Sequence, residues 1–267
     1  MPTFEILCAT MHQNDFSKIN EMNIKSNVVF ANQCDHTSYE EMEFDGHTAK
    51  MISTETRGVG KNRNLALMYA TADICLFADD DLVYADGYEK IIQQAFQKLP
   101  QADGIIFNVE SLGYDYGRRR NAKIKRVRWY NAFNYGVVRL AVKRNSIMRE
   151  NIMFSTNFGG GAPFSCGEDT LFISGMLKRR LKLFVFPEVI VTVKESESTW
   201  FHGYNSKFYY DKGVLYASIS SFFAKFLCLQ NLIRHPDYKK NGLTFYEAYG
   251  WMKKGIKNRL EMKSFDK

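Results

Sequence analysis

Three consecutive carboxylates, Asp79, Asp80 and Asp81, follow directly on the apolar run Ile74-Cys75-Leu76-Phe77-Ala78. The run reads as a buried strand, so the acids are expected together at its carboxyl end. Like charges crowded there repel, and a fold holds them mainly where a cation or strong donors neutralise them. In open α/β sheets, ligands bind beyond the carboxyl ends of the strands. Alternation along a strand puts Asp79 and Asp81 on one side and Asp80 on the other. Such a pair suits Mg²⁺ or Mn²⁺ in a site completed by water and substrate phosphates. A solvated acidic turn is the alternative.

Further groupings carry possible chemistry. In Arg57-Gly58-Val59-Gly60-Lys61-Asn62-Arg63-Asn64, glycines permit close backbone approach and the following helix offers its amino end to an anion. Arg57, Lys61 and Arg63 add positive charge, although the spacing is not that of a Walker A loop. A solvated basic helix start fits equally well. Gly167-Glu168-Asp169 offers carboxylates that could take a proton from an attacking hydroxyl, or could simply favour a helix amino end. His202, in Trp200-Phe201-His202-Gly203-Tyr204, could ligate a metal or meet a diphosphate, with Lys207 and Lys212 nearby. The basic run from Arg118 to Arg128, ending in Trp129-Tyr130, could bind single-stranded nucleic acid, anionic lipid or a pyrophosphate, or remain a solvated loop.

The elements that must position these residues alternate in type. Strands are expected at Phe4 to Ala9, Val28 to Asn32, Lys50 to Ser53, the triple-Asp run and Gly104 to Val109. Asn62 to Ala72 has helical spacing, with Leu65, Met68, Tyr69 and Ala72 on one face. Asp86 and Glu89 form a capping box for a helix that Pro100 ends. This βαβ series predicts an α/β fold with a mostly parallel sheet. Later, Tyr114 to Tyr130 reads as a loop or short hairpin, and Gly159-Gly160-Gly161 as flexible punctuation. A helix begins near Glu168, and Leu183 to Phe186 and Val189 to Val193 are strands split by Pro187. From Val214 a helical stripe carries Leu215, Ile219, Phe222, Phe223, Phe226 and Ile233.

Composition is that of an ordinary globular chain: 267 residues, 45% hydrophobic and 24% charged, which excludes disorder. A net charge of +7 points to an anionic partner. The cysteines Cys8, Cys34, Cys75, Cys166 and Cys228 are scattered without a CxxC pair, which argues against a zinc ribbon or disulfide framework and favours a reducing, cytoplasmic setting. Met1 to Met11 has no basic start and carries Glu5, so no secretory leader is expected there. No run of 18 apolar residues predicts a spanning helix. The stripe from Val214 to Ile233, with Lys239, Lys240, Lys253, Lys254, Lys257 and Arg259, either packs on its own domain or lies peripherally on the inner face of the cell membrane.

Taken together, Gly60-x-x-Arg63-Asn64-x-Ala66, then Asp73-Ile-Cys-Leu-Phe-Ala-Asp79-Asp80-Asp81, then Gly167-Glu168-Asp169-Thr170-Leu171-Phe172 resemble a family-2 glycosyltransferase of the GT-A fold, over residues 3–212. The resemblance implies a Rossmann-like catalytic domain, and the helical pattern from Val214 sets a boundary near residue 205 that divides the chain into this domain at 1–205 and a helical extension at 206–267. The resemblance also implies a DxD motif at Asp79 and Asp81 that holds Mn²⁺ or Mg²⁺, and the local reading of His202 adds it as a candidate further ligand. Asp169 becomes the base and Glu168 its orienting neighbour. Thr10, Asn32, Gln33, Asp35, Arg57, Lys61, Arg63, Asp79 and Asp80 fall where the nucleotide sugar binds. The second strand's exit, Asn32-Gln33-Cys34-Asp35, displaces the family's acidic residue, and Met11-His12-Gln13-Asn14 departs from its usual first exit. The chain thus looks like a divergent bacterial branch that makes surface polysaccharide. The implied reaction is inverting transfer from a nucleotide-diphosphate sugar, UDP by family habit, to a saccharide or lipid-linked saccharide. Sugar-phosphate nucleotidyltransferases resemble one another in a Gly- and Arg-rich amino-terminal loop, which Thr10 to Asn20 lacks. A nucleic-acid-binding module would leave the acidic clusters unexplained.

Overall fold

The strand Phe4–Met11 (β1) is buried from Phe4 to Thr10, on both faces, as a central strand of a parallel sheet must be. In the computed structural model, which describes residues 2–111, 120–193 and 203–265, β1 leads through the short helix Lys18–Glu21 (α1) to Asn27–Gln33 (β2). A hairpin of Ser38–Phe44 (β3) and His47–Thr54 (β4) follows, then the helix Val59–Tyr69 (α2) and the strand Ile74–Asp79 (β5). Next come Leu82–Tyr84 (β6), Tyr88–Lys98 (α3), Gly104–Ser111 (β7), Lys125–Arg126 (β8), Leu140–Lys143 (β9) and Arg144–Arg149 (α4). Glu168–Lys178 (α5) and Leu183–Val193 (β10) complete the sheet layer, and Ser206–Ile219 (α6), Ala224–Arg234 (α7) and Phe245–Phe265 (α8) follow it.

The strand order is β3-β4-β2-β1-β5-β9-β7-β10-β6, with β8 beside β10. β4, β2, β1 and β5 run parallel, as do β7 and β10, while β9 lies antiparallel between β5 and β7. Strand alternation divides the core. Ile6, Phe30 and Leu76 face a layer that includes α3, and Leu7, Val29 and Phe77 face a layer that includes residues of α2 and α5. A third cluster holds α6, α7 and α8 together. Gly213 and Gly255 let α6 and α8 cross closely: a Cβ at Gly213 would stand 2.1 Å from the Met252 carbonyl oxygen.

Several expectations are corrected. The hairpin strand β3 is absent from the sequence reading because Ser38–Phe44 is an edge strand with few inward residues. The helix α2 does not bury the Leu65-Met68-Tyr69 face, since Met68 is 65% exposed; it buries Gly60, Asn62, Arg63, Ala66 and Leu67 instead. No capping box forms at Asp86. Its Oδ1 accepts a bond from Asn23 Nδ2 at 2.9 Å, and Gly87 with φ 73° starts α3. Pro187 does not split β10, because register shifts between Val185 and Val191 absorb it and Asn108 Nδ2 donates to its carbonyl at 2.7 Å. The stripe after Val214 is two helices, with Leu215 and Ile219 buried but Phe222, Phe226 and Ile233 exposed. Of the basic run, Arg118 and Arg119 lie outside the described residues.

Candidate active site

The strand β5 stops at Asp79, so Asp80 and Asp81 make the turn into β6, and the alternation expected to pair Asp79 with Asp81 does not reach that far. Ala9 of β1 pairs with Asp79 in register, which sets Thr10 beside the turn. The Thr10 hydroxyl donates to Asp80 Oδ2 at 2.5 Å. The exits of β1 and β5 are thereby tied at the carboxyl end of the sheet.

Across them lies α2, fixed by two amides that flank Arg63. Asn62 Nδ2 donates to the carbonyls of Thr10 (3.1 Å) and Ala31 (2.7 Å). Asn64 exchanges bonds with the Phe154 backbone, donating to its carbonyl at 2.9 Å and accepting its N–H at 2.8 Å. Gly60 permits this seating, because a Cβ there would stand 2.2 Å from the Ser155 carbonyl oxygen. The three-glycine segment docks rather than flexes: Val59 N–H donates to the Gly160 carbonyl at 2.9 Å.

Arg63, 3% exposed, therefore has one place to point. Its Nη2 donates to Asp79 Oδ1 at 2.9 Å, and its Nη1 to Asp169 Oδ1 at 2.8 Å and Glu168 Oε1 at 3.3 Å. The guanidinium also lies 5.5 Å from the Phe154 ring centroid. That ring stacks on Phe172 at 4.1 Å and meets Phe77 edge-on, giving the network an apolar floor. Asp169 Oδ2 accepts the Val137 N–H at 3.0 Å, and Glu168 Oε2 accepts the Gly167 N–H at 3.1 Å. Gly159, with φ +101°, leaves room for Glu168; a Cβ there would come within 2.7 Å of the carboxyl carbon.

Burial opposes charge on Arg63, but Asp79, Asp169 and Glu168 outweigh it and hold the guanidinium above its ordinary value. Burial raises Asp169 despite Arg63 and the Val137 N–H. Burial raises Glu168 too, and the neighbouring Asp169 adds to the effect. Three carboxylates share one guanidinium, with Asp80 and Asp81 adjoining, so the cluster carries surplus negative charge. Hard oxygen donors in surplus fit Mg²⁺ or Mn²⁺. Among the described residues, however, three potential ligand atoms come within 4.8 Å of one another only at Cys34, Asp35 and His36. A cation at the aspartates would then rest on one or two carboxylates and on substrate phosphates, which is the usual habit of Mg²⁺.

The other expected residues divide. Asn32 is fully buried, and its amide bonds the Gln13 backbone and Ser53, so it shapes the β1 exit rather than facing a ligand. Gln33 Oε1 accepts the Gly58 N–H at 2.8 Å, supporting the start of α2. Asp35 is exposed and pairs with His36 at 3.1 Å. Arg57 donates to the Cys34 carbonyl at 2.8 Å, and Lys61 is exposed. Arg63 gives both terminal nitrogens to carboxylates in this structure. His202 lies outside the described residues. Sequence reasoning missed Asn62, Asn64 and the Val137 N–H. A helix whose consecutive positions 62, 63 and 64 are all strong hydrogen-bonding residues pointing three ways was the available signal.

Residues 35–157 match the family described as Glycosyl transferase family 2. No curated protein matches by sequence. Among solved structures, the chain is similar to Staphylococcus aureus TarS 1-349 in complex with UDP-GlcNAc, with a TM-score of 0.65 and 15% identity over 95% of this chain and 81% of that one. The complex of the same fragment with UDP gives a TM-score of 0.64 and 15% identity over 97% and 82%. A longer TarS structure gives a TM-score of 0.61 and 14% identity over 92% of this chain and 46% of that one. With the sheet order and the carboxylates on its exits in place, the chain has the GT-A fold, and its residues 35–157 match glycosyltransferase family 2.

Proposed function

We propose that the enzyme moves a sugar, with inversion, from a UDP-sugar to a hydroxyl of a saccharide or lipid-linked saccharide in surface-polysaccharide synthesis. The observation that carries this reading is the Arg63 bridge, which joins the exit of β5 to the first turn of α5. An inverting displacement needs a leaving-group site and a base on opposite sides of the anomeric carbon, and Asp79 and Asp169 stand on the two arms of that bridge. The two TarS complexes, with UDP-GlcNAc and with UDP, support UDP as the carrier.

In this reading Asp169 takes the acceptor proton as the new bond forms. Its carboxylate is held by Arg63 and Val137, so it needs no reorganisation at that moment. Glu168 shares the guanidinium and fixes where Asp169 can lie. Thr10 and Asp80 flank the nucleotide side. Asp79 and Asp81 would hold Mn²⁺ or Mg²⁺ together with the donor's diphosphate. When bound, such an ion offsets charge on the leaving group.

No described helix is long and apolar enough to cross a membrane. Peripheral contact is part of the proposal, supported by Phe222 at 86% exposed and Phe226 and Ile233 on the same outward side of α7, with Lys225 beside them. Flotation with anionic vesicles tests it: Phe222→Asp/Phe226→Asp should stay in the soluble fraction, and equal flotation of variant and wild type would reject it. For the reaction, incubation with donor and acceptor should release UDP. Release of pyrophosphate would instead mark a sugar-phosphate nucleotidyltransferase.

A further inference from the structure

A cavity of about 310 Å³ lies beyond the carboxylate cluster, within the size range of small-ligand sites, about 300–1,000 Å³. Two segments that hold Asp169 also line it. One is Thr170, the next residue on α5. The other is Phe133 and Asn134, in the 3-10 turn Ala132–Asn134 just before Gly136 and the Val137 N–H that grips the carboxylate. The opposite wall comes from single helical faces, with Phe208, Lys212 and Tyr216 at four-residue steps on α6 and Leu227, Asn231 and Arg234 on α7.

The charge of this wall is one-sided. Asp237, the carboxylate in the lining, is taken by Lys240 at 2.7 Å. Lys212 and Arg234 have no carboxylate partner among the described residues, and the Lys212 ammonium lies 5.4 Å from the Phe208 ring centroid. Tyr209 adds a separate sign. It lines the cavity, is 1% exposed, and its hydroxyl has no hydrogen-bond partner among the described residues. A buried hydroxyl left open beside a cavity calls for a ligand or water to complete it. Phe133, 38% exposed, and Tyr216 offer flat apolar faces of about pyranose size.

We propose that this cavity is the acceptor subsite and that it takes a saccharide bearing a phosphate or carboxylate. The anion sits on Lys212 and Arg234, a sugar hydroxyl completes Tyr209, and the reacting hydroxyl is thereby presented toward Asp169. The proposal rests on the reading of Asp169 as base.

The test uses the full chain saturated with UDP and Mn²⁺, so that the donor side is filled, and measures binding of glucose 6-phosphate, glucuronic acid and glucose by NMR titration. At least one anionic sugar should bind ten-fold or more tighter than glucose, and the better of the two identifies the anion. Lys212→Met/Arg234→Met should remove that preference while Tyr209→Phe weakens all three sugars and keeps it. Arg234 is exposed, so Arg234→Met alone keeps the test open if the double variant fails to fold. Equal binding of the three sugars, or a preference that survives the substitutions, overturns the proposal. An Asp169→Asn protein that turns over normally would instead refute the base, leaving these binding results to stand apart.

Discussion

Asp79 and Asp169 accept hydrogen bonds from opposite terminal nitrogens of a single buried guanidinium, Arg63, at 2.9 and 2.8 Å. The residue at the sheet exit and the residue at the helix start are thus one mechanical unit. Displacing either carboxylate alters the charge balance at the other.

Arg63→Lys should fail despite keeping the charge. An ammonium is a compact point charge and cannot span two sites as a planar fork does. Breaking a buried ion pair by removing one partner costs roughly 3–5 kcal/mol, and half-exposed Asp79 can recover water, so a loss near the low end, about 3 kcal/mol, is expected. Urea denaturation of the variant checks the stability, and steady-state rates should fall with it. Wild-type stability would show that the bridge is not structural.

Asp169→Asn keeps the shape and removes the base. Transfer should drop by about 10²–10⁴-fold, the usual contribution of a general base, while UDP affinity holds. Isothermal titration with UDP beside a transfer assay separates the two effects. Near wild-type turnover would show the base to be elsewhere.

Acid–base behaviour follows from the raised carboxylates. Asp169 works only when ionised, so the acid limb of kcat/KM should lie above the ordinary carboxylate value of about 4. Stability runs the other way. Between the unfolded value and the raised folded value, the native state binds more protons than the unfolded chain, so stability falls as pH rises through that window and then levels off. Urea midpoints across this range check it, and Asp169→Asn should flatten the slope.

Donor binding should depend on a divalent ion and on Asp81. Chelation should weaken titration of the UDP-sugar, and Asp81→Asn should blunt the response to added Mn²⁺. An unchanged titration in both cases would remove Asp81 from the ion's site.

Gly213→Ala tests the helical layer. The added methyl would meet the Met252 carbonyl oxygen at 2.1 Å, and overpacking of this kind costs about 1–3 kcal/mol. Thermal melting should show the drop. No change would mean that α6 and α8 separate at little cost.

Much of this was legible in the residues. The strand before Asp79 is apolar throughout because β5 is buried on both sides, and Glu168-Asp169 opens a helix as its charge pattern suggests. The parts that were not legible depend on distant partners. Nothing local in Asp86-x-x-Glu89 reveals that Asn23 will claim the aspartate. Nothing local in Arg63 reveals that three carboxylates will close around it. Pro187 misled because a bulge can carry a proline through a strand. Charge counts and periodicity describe faces, and the pairing of faces is set by the whole fold.

The most direct measurement is product analysis of the wild-type chain with Mn²⁺ and a panel of UDP-sugars, followed by NMR from the first minutes. Free UDP is expected, with the released or transferred sugar appearing first as the anomer opposite to the donor's, and loss of that product in Asp169→Asn. Retained configuration, or pyrophosphate in place of UDP, would contradict the proposed reaction.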